Sequence, residues 1–389
     1  MKVAQLTAFH VGIPLRRRVR HASHTRSATD NIVVHCTLED GTTGFGEGVP
    51  REYVTGETID SALELLRASK VGQQLEPCHE FERVVDLAER LRLAPVPGDI
   101  RGCQGNAARC ALELALLDTY GQHFGEPLSV VTRIVAPDLY EPKPRVRYSG
   151  AITSAQGFKL RLATWRLRVY GFRQVKVKVG IGGQDDIKRL RFIRSRLGTN
   201  RDIRLDANEA WTPKEIMRRI EALEPFRISA LEQPLPHEHV GVLAEVRRQT
   251  KMPIMLDESL CSRIDAEQAA EMGTCDLFNL RLSKCGGFIA SVRLAQLARK
   301  QGMGYQLGCQ IGETALLSAA GRHFATSVQG VRYLEGSYDR HLVKEPLGTQ
   351  DITFGWGGWA GALAGPGLGV KVDPLALDRV TVRKESLLG

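Results

Sequence analysis

The chain has 389 residues, of which 43% are hydrophobic, and its formal net charge is +9 at pH 7. This length and composition predict a globular protein with a large core, folded as two domains or as one larger than average. No run of eighteen apolar residues occurs, and the charges of residues 1–20 follow the apolar stretch. We therefore expect neither a membrane span nor a secretory signal, and a cytosolic protein.

The cysteines and the basic residues indicate which ligands and partners the protein is expected to bind. The eight cysteines form no CxxC pair and no zinc-like spacing, so neither zinc nor disulfides are expected. The basic stretch 159–173 interleaves apolar residues at helical spacing, which favours an amphipathic helix with a solvated basic face. The basic residues cluster neither with exposed aromatics nor in a known motif, so nucleic-acid binding is not expected. An anionic small-molecule substrate explains the positive net charge better than nucleic acid does.

The first 140 residues predict a separate α+β domain. Residues 31–48 have the pattern of two strands joined by a turn at Asp40-Gly41. Three helical runs follow, at about 57–70, 80–93 and 103–123.

From residue 145 onward, strand and helix alternate. A capping pattern over Thr212, Pro213 and Glu215 predicts the start of one helix, and residues 185–197 predict another that ends at Gly198. Eight candidate strands, with similar spacing of about 25 residues between them, indicate a closed barrel of TIM-like, (β/α)7β type rather than an open doubly wound sheet. The strands are predicted at 145–151, 174–180, 202–207, 228–233, 253–258, 277–282, 304–309 and 332–337.

The C-terminal segment is rich in glycine. Residues 355–373 are predicted to form no regular element except a short alternating strand at their end, and to fold back on the first domain. We therefore divide the chain into an α+β domain (1–140), a barrel (141–345) and a C-terminal segment (346–389) that completes the first domain.

Acidic residues end three successive barrel strands. Asp206, Glu232 and Asp257 are 26 and 25 residues apart, which places them on adjacent strands at the end of the barrel where active sites lie. A helix cap or a surface salt bridge would explain each acid alone, but not the regular spacing. Three like charges so close need a cation, and all-oxygen ligands favour Mg²⁺, with Mn²⁺ as the alternative.

Two lysines share one face of the strand before Asp206. Lys176 and Lys178 are two residues apart, so their side chains point the same way, and Lys178 precedes Asp206 by 28 residues. Lysines that block an edge strand are the alternative. Beside another cation and a bound metal, the neutral form of a lysine is favoured, so Lys178 can act as a base near neutral pH.

These motifs resemble those of the enolase superfamily, in its mandelate racemase/muconate-lactonizing-enzyme subgroup. The motifs K-x-K, D-x-N, E-Q-P and D-E occur at successive strand ends, in 175–180, 205–211, 231–235 and 256–260. Residues 44–58 are similar to the family's N-terminal capping domain and 365–373 to its closing segment.

The resemblance implies an enzyme that removes the proton alpha to the carboxylate of a small-molecule substrate. Lys178 would be the base and Lys176 the neighbour that favours its neutral form, while Asn208 would orient groups nearby. Asp206, Glu232 and Asp257 would hold the metal, which stabilises the enediolate. The family often forms dimers or octamers, which favours a homo-oligomer, but nothing in the sequence decides this.

One position departs from the family pattern. Two-base members carry a second lysine 24 residues beyond the third metal ligand, where this chain has Arg281. A guanidinium is a poor base, but it can hold a substrate anion or stabilise the enediolate. Lys284, three residues on, is a candidate replacement. The missing lysine favours one-base chemistry, as in a muconate cycloisomerase-like enzyme or a lyase such as a dehydratase.

Epimerisation of an amino-acid derivative or dipeptide is the alternative reaction, because residues 46–58 resemble dipeptide epimerases. A barrel without catalysis, acting as a binding or structural protein, is a further alternative that Lys178 and the acidic trio argue against.

Further residues are candidates for substrate contact. Glu313 and Glu335 match acidic positions that subgroup members use toward substrate, although either can instead cap a helix or pair with arginine. His24, Arg26 and Arg51 belong to capping segments that in the family fold over the barrel mouth. The substrate itself stays open.

Overall fold

The computed structural model describes residues 1–20 and 25–388. The strands are β1 (Val3–Arg20), β2 (Thr25–Leu38), β3 (Thr43–Gly48), β4 (Arg145–Arg147), β5 (Gly150–Ile152), β6 (Gln174–Lys178), β7 (Asp202–Asp206), β8 (Ile228–Glu232), β9 (Ile254–Leu256), β10 (Leu277–Leu280), β11 (Gly304–Leu307), β12 (Val331–Leu334), β13 (Trp359–Gly361) and β14 (Thr381–Ser386). The helices are α1 (Glu52–Thr55), α2 (Ile59–Ala68), α3 (Phe81–Arg90), α4 (Asn106–Phe124), α5 (Val130–Val135), α6 (Gly157–Val169), α7 (Asp186–Leu197), α8 (Ile216–Leu223), α9 (Leu243–Gln249), α10 (Arg263–Met272), α11 (Phe288–Lys300), α12 (Ala315–Ser327), α13 (Asp339–Leu342) and α14 (Pro374–Val380).

An antiparallel sheet in the order β14-β1-β2-β3 forms the centre of the N-terminal α+β part. Gly41, in the predicted turn, has a φ of +86°, and the Asp40 carboxylate accepts the amide of Thr42 at 2.9 Å. Glycines alternate along one face of β3 because α4 lies directly on it: a Cβ at Gly46 would stand 2.1 Å from the carbonyl oxygen of Ala111. The chain's last strand, β14, pairs with β1, so the C-terminal segment completes this sheet as predicted. The short strand expected at the end of 355–373 is instead an isolated bridge between Val372 and Gly348.

Eight parallel strands, in the order β12-β11-β10-β9-β8-β7-β6-β5, form the barrel sheet. The sheet curls until its two edges meet, where the amide of Ser149 donates to the carbonyl of Leu334 at 2.8 Å. Apolar residues on these strands are buried, as expected for parallel strands covered by helices. The predicted fold class, a TIM-like barrel with an N-terminal α+β cap, is confirmed. The domain boundaries at 140 and 345 stay a prediction.

The first predicted barrel strand, 145–151, is wrong in its bounds. Residues 145–147 form β4, which pairs antiparallel with β13 outside the barrel, and the barrel strand is β5 at 150–152. The prediction of no regular element in the glycine-rich segment fails for the same reason, since β13 lies within it. The hydrophobic alternation of 145–151 marks an extended chain but does not specify its partner.

Two helices test the predicted starts. The α7 helix begins after Asp185, whose carboxylate accepts the amide of Lys188 at 2.9 Å, and ends at Gly198 as predicted. The α8 helix begins at Ile216 rather than beside Thr212. The carboxylate of Glu215 accepts the amide of Thr212 at 3.2 Å, but the Thr212 side chain makes no capping bond, so only half of the predicted capping box forms.

The α6 helix has the predicted solvated basic face, but two large apolar side chains share it with the exposed Lys159, Arg161, Arg166 and Arg168. Phe158 is 77% exposed and Trp165 is 58% exposed, so apolar as well as basic side chains face the solvent. In the described part of the chain, no helix has the length and apolar character needed to cross a bilayer.

Buried carboxylates join the α+β part to the barrel helices. Glu47, at the end of β3, accepts the amides of Thr314 and Leu317 at the start of α12, each at 3.0 Å, and also the side-chain amide of Asn31 at 2.7 Å. Burial raises the pKa of Glu47 to about 7, although these hydrogen bonds act in the opposite direction.

A second carboxylate repeats this arrangement one helix away. Glu113 of α4 accepts the amides of Phe288 at 2.5 Å and Ile289 at 3.1 Å at the start of α11. The two acids thus fix the cap against the helices that follow β10 and β11, next to the loops at the barrel mouth.

We expect Glu47→Gln to lower the free energy of unfolding by about 2 kcal/mol, because its new amide group would face backbone N–H donors in a buried site. Urea unfolding measures the change. The exposed Glu64→Gln is the matched control and should change stability by less than about 0.5 kcal/mol. Equal stabilities of the two variants would contradict this role for Glu47.

Candidate active site

The strand register sets the residues of the barrel rim side by side. Lys178 is the register partner of Asp206 across β6 and β7, and Asp206 is the partner of Glu232 across β7 and β8. Met255 on β9 pairs with Glu232, and Asp257 follows it two residues later, just past the strand end. The three acids and Lys178 therefore occupy one rim of the barrel, as their spacing predicts.

Lys176 lies below the rim among carboxylates. Its Nζ is 2.8 Å from Oε2 of Glu335, 3.4 Å from Oδ2 of Asp206 and 3.7 Å from Oε1 of Glu232. Burial alone would lower the pKa of Lys176, but these carboxylates outweigh it and the pKa is raised. Lys176 is thus held as a cation at the base of the site.

Lys178 stands nearer the mouth and is oriented by Asn208. Its Nζ donates to Oδ1 of Asn208 at 2.5 Å and lies 4.0 Å from Oδ2 of Asp206. Asn208 has a φ of +42°, a left-handed conformation that asparagine tolerates better than most residues. The side-chain amide of Asn208 also donates to Glu258 at 3.3 Å, so the orienting group is itself fixed.

Asp257 is bound by two cations of its own chain. Arg281 forms an ion pair with Oδ2 of Asp257 and its Nη2 lies 3.9 Å from Oε1 of Glu232. Burial acts to lower the pKa of Arg281, but Asp257, Glu258 and Glu232 outweigh it and raise the pKa well above its usual range. Arg281 is therefore a charge and a hydrogen-bond donor at this rim, not a proton acceptor.

Lys284 does not replace the missing second lysine. It is 1% exposed, and its Nζ donates to the carbonyl of Asp257 at 2.6 Å, to Oδ1 of Asp257 at 2.9 Å and to the carbonyl of Asn279 at 2.9 Å. All three donors of the ammonium group are used, so no face of it is left for a substrate. These contacts argue against Lys284 as a substrate contact or as the second base, and that hypothesis stays a prediction.

The carboxylate set fits a hard divalent cation. Glu232 is fully buried; its Oε1 accepts the side-chain amide of Asn279 at 2.8 Å, while Oε2 has no hydrogen-bond partner. Burial raises the pKa of Glu232 well above its usual range, with Asp206 and Asp257 adding to the effect. A buried oxygen without a partner, beside two further carboxylates, is the kind of site that Mg²⁺ satisfies.

The side chains do not form a finished coordination sphere. Across residues 1–20 and 25–388, no three His, Cys, Asp or Glu side chains gather around a point that would hold a metal. In this arrangement, Lys176 neutralises Asp206 and Glu232, while Arg281 and Lys284 neutralise Asp257. The strand spacing thus predicts the position of the acids, but not that side-chain cations contact them.

Glu335 is engaged by the protein. Its Oε2 accepts from Lys176 and its Oε1 from Arg204, a fully buried arginine whose Nη1 also donates to Oγ of Ser149 at 3.1 Å. Burial acts to raise the pKa of Glu335, but Lys176 and Arg204 lower it to about 2. Glu335 therefore pairs with cations, which was the alternative reading, and does not point both oxygens at a substrate.

Glu313 and Arg51 lie at the junction between the cap and the barrel. Burial raises the pKa of Glu313 to about 8, and its Oε1 accepts the amide of Gln310 at 2.6 Å. Arg51 is 2% exposed and donates to the carbonyl of Ile311 at 2.6 Å and to Oγ1 of Thr29 at 2.8 Å. Arg51 thus connects the cap to the loop after β11, and its predicted contact with substrate stays a prediction.

The remaining candidates belong to the capping segments. Arg26 is partly exposed, with its guanidinium 5.5 Å from the ring centre of Tyr53. His24 lies outside the described residues. Substrate contacts by both residues stay predictions.

Three residues of the site were not anticipated from the sequence: Arg204, Asn279 and Glu258. Arg204 precedes Asp206 by two positions and Asn279 precedes Arg281 by two, so strand alternation could have found both. Glu258 lies in the D-E motif, and burial, followed by the charge of Asp257, raises its pKa to about 8.

The family of the chain follows from comparison with known proteins. The model described as enolase C-terminal domain-like matches residues 160–376, more than half of the chain. The model of the mandelate racemase/muconate lactonizing enzyme N-terminal domain matches residues 3–131. The chain belongs to the enolase superfamily, in its mandelate racemase/muconate lactonizing enzyme subgroup, and is an enzyme of that superfamily.

Curated relatives are similar over most of their length. The chain is 30% identical over 343 residues to a hydrophobic dipeptide epimerase of Enterococcus faecalis, covering 85% of this chain and 89% of the relative. It is 26% identical over 389 residues to an N-succinyl-L-Arg/Lys racemase of Bacillus cereus, covering 98% of each. These relatives are isomerases that invert a stereocentre, so they support the epimerase alternative better than the predicted cycloisomerase or lyase.

A solved structure of an epimerase is similar to this chain in fold. The crystal structure of a dipeptide epimerase from Enterococcus faecalis, complexed with Mg and the dipeptide L-Leu-L-Tyr, matches with a TM-score of 0.80 and 26% identity. The match covers 95% of this chain and 100% of that chain.

We expect Glu335→Gln and Glu313→Gln to differ at pH 7. The first variant leaves Lys176 and Arg204 without their shared carboxylate and should cost about 3 kcal/mol of unfolding free energy. The second should cost less than about 1 kcal/mol, because Glu313, with its pKa raised to about 8, is mostly protonated at pH 7.

The lowered pKa of Glu335 determines how its contribution to the unfolding free energy changes with pH. Its pKa is lowered from 4.5 to about 2, so its stabilising effect is complete above pH 4.5 and disappears as the pH falls through 2. Urea unfolding of both variants at pH 7 and pH 3 measures these differences. A larger loss in Glu313→Gln would contradict the assignment.

Proposed function

We propose that this protein is a Mg²⁺-dependent epimerase or racemase acting on a dipeptide or an N-acylated amino acid. The observation that carries the proposal is Lys178: its amine stands at the carboxylate rim, oriented by Asn208 at 2.5 Å, with Asp206 at 4.0 Å. The substrate class is supported by the relatives, which act on dipeptides and N-succinyl amino acids.

The metal would be held by Asp206, Glu232 and Asp257. When bound, Mg²⁺ supplies positive charge to the substrate carboxylate and so stabilises its enediolate form. The buried and unpartnered Oε2 of Glu232 supports this role, as does the Mg in the crystal structure of the Enterococcus faecalis relative.

Lys178 would take the proton. As the neutral amine, it removes the hydrogen from the carbon next to the carboxylate, and the C–H electron pair passes into the carboxylate group. Lys176, held as a cation by Glu335, Asp206 and Glu232, adds a fixed positive charge beneath Lys178. Asn208 keeps the amine directed at the rim.

Arg281 faces Lys178 across the barrel mouth. Lys178 ends β6 and Arg281 follows β10, and these strands are four apart in a sheet of eight, so the two side chains approach a bound substrate from opposite sides. Inversion requires a proton delivered to the face opposite Lys178, and Arg281 is the donor placed there. Its neutral form is strongly disfavoured beside Asp257, so inversion is expected to be slow relative to proton removal.

One-base chemistry is the second candidate, and Arg281 is the observation that favours it. If the guanidinium only holds charge, Lys178 can remove the proton and return it to a leaving group on the same face. The product would then come from β-elimination or cycloisomerisation. Exchange of the substrate α-hydrogen in D₂O, with analysis of the products, separates the two candidates.

We expect the parent protein with Mg²⁺ to exchange the α-hydrogen of dipeptides or N-succinyl amino acids for deuterium, and EDTA to stop this exchange. Lys178→Met should slow the exchange by about 10²–10⁴-fold, because it removes the base. The exposed Lys251→Met is the matched control and should keep the parent rate. Proton NMR measures exchange, and chiral chromatography measures inversion.

The products decide between the candidates. Deuterated substrate of inverted configuration supports the epimerase. An unsaturated or cyclised product without inversion supports the one-base reaction. No exchange with any carboxylate tested, together with no Mg²⁺ affinity by calorimetry, would favour a barrel without catalysis.

We expect Arg281→Lys to raise the ratio of inversion to exchange, because a lysine can act both as acid and as base on that face. Arg281→Gln should abolish inversion while Lys178 continues to exchange the proton. Chiral analysis alongside NMR exchange gives the ratio. Unchanged inversion in Arg281→Gln would show that the proton comes from another donor.

A homo-oligomer and a cytosolic location stay predictions, which gel filtration with light scattering and cell fractionation would test.

A further inference from the structure

A basic cavity lies away from the active site, near the start of the barrel strands. Its volume is about 340 Å³, and its lining includes residues at the beginning of β6 and β12, whereas the candidate active site lies at the opposite ends of these strands. The side chains that give the cavity its character are Lys143, Arg145, Arg147, Arg173, Arg332 and Trp359.

The seam of the barrel explains why a cavity forms here. The sheet order ends at β5 and β12, and between these edges the backbone of the described residues provides the single Ser149 to Leu334 hydrogen bond rather than a ladder. The β4 strand pairs with β13 rather than with the barrel sheet, and side chains of both strands line the cavity. The side chain of Gln174 spans the gap by donating to the carbonyl of Arg332 at 3.0 Å.

The cavity concentrates positive charge, of which only that of Lys143 meets an acid among the described residues. Its lining contains five basic side chains and no carboxylate. Within the described ranges, Arg145, Arg147, Arg173 and Arg332 form no ion pair with an acid, whereas Lys143 lies 3.3 Å from Glu141. Uncompensated cations facing one small volume repel each other and lower the stability of the empty site.

Backbone carbonyls hold one of the arginines, Arg147, in place. Arg147 is partly buried, and its Nε and Nη2 donate to the carbonyls of Gly357 and Gly171 at 2.7 and 2.8 Å. Burial lowers the pKa of Arg147, and the charge of Arg173 lowers it further. These contacts fix a guanidinium in the cavity wall although another cation stands close to it.

An aromatic ring completes the wall. The guanidinium of Arg145 lies 4.4 Å from the ring centre of Trp359 and that of Arg147 lies 5.2 Å from it. Stacking on Trp359 holds both guanidinium planes in place and leaves N–H groups at their edges for a ligand. The structure therefore places aromatics among basic residues, contrary to the premise on which nucleic-acid binding was not expected.

We propose that this cavity is a binding site for a compact multivalent oxyanion, such as a diphosphate or a tricarboxylate. The forked donors of arginine match phosphate and carboxylate groups, and several of them around one small volume match an anion whose charges are close together. The volume of about 340 Å³ is at the lower end for ligand sites and suits a small molecule. The proposal does not depend on the reaction at the opposite end of the barrel.

Isothermal titration calorimetry with inorganic pyrophosphate, ADP and citrate tests the proposal. We expect saturable binding of at least one probe by the parent protein. The variant Arg145→Gln/Arg173→Gln/Arg332→Gln should bind it about tenfold more weakly or worse, because these exposed arginines supply uncompensated charge. The tightest of the three probes identifies phosphate, nucleotide or carboxylate as the source of the anion.

A matched variant controls for net charge. Lys251→Gln/Lys300→Gln/Lys344→Gln removes the same three charges from exposed positions outside the cavity lining and should bind as the parent does. Lys178→Met should also bind normally, which separates this site from the cations of the active site. Circular dichroism and thermal unfolding of each variant establish that it is folded.

Tryptophan fluorescence gives a second readout. Anion binding to Arg145 and Arg147 should change the emission of Trp359, and Trp359→Phe should lose this change while the calorimetric signal remains. No saturable binding by the parent protein would overturn the proposal. Equal loss in both triple variants, or tighter binding of a single-stranded oligonucleotide than of any small anion, would do so as well.

Discussion

The arrangement of charges inside the barrel mouth is the constraint on which the site depends. Asp206, Glu232 and Asp257 are buried side by side, and carboxylates taken out of water at this spacing are stable only next to positive charge. Lys176 supplies it from below and Arg281 from the far side. A divalent cation at the same acids would add to this balance. The positions of Lys176, Arg281 and Lys284 beside these acids satisfy that requirement.

The cap and the barrel are joined by the same kind of interaction. Glu47 and Glu113 leave water to accept backbone amides at the first turns of α12 and α11, two helices that follow rim loops. Arg51 adds a contact between the cap and the loop after β11. Buried polar contacts therefore fix the capping segments to the helices and loops next to the barrel rim.

The two ends of the barrel use arginine differently. At the mouth, Arg204 and Arg281 each meet a carboxylate, so their charge is balanced within the chain. At the opposite end, Arg145, Arg147, Arg173 and Arg332 face a cavity without an acid. Part of the net charge of +9 is therefore concentrated in this cavity, where no side chain of the lining neutralises it.

The sequence by itself determined the barrel and the residues that lie at its rim, because hydrophobic alternation and regular spacing are local properties that parallel strands convert into position. Lys178, Asp206 and Glu232 became register partners as predicted from their intervals. Only the tertiary structure decided which charges meet. Lys284 could not be told from a free base until its three contacts to Asp257 and Asn279 were seen, and the pairing of 145–147 with 359–361 joins segments more than 200 residues apart. Such contacts depend on distance in space, which spacing along the chain does not encode.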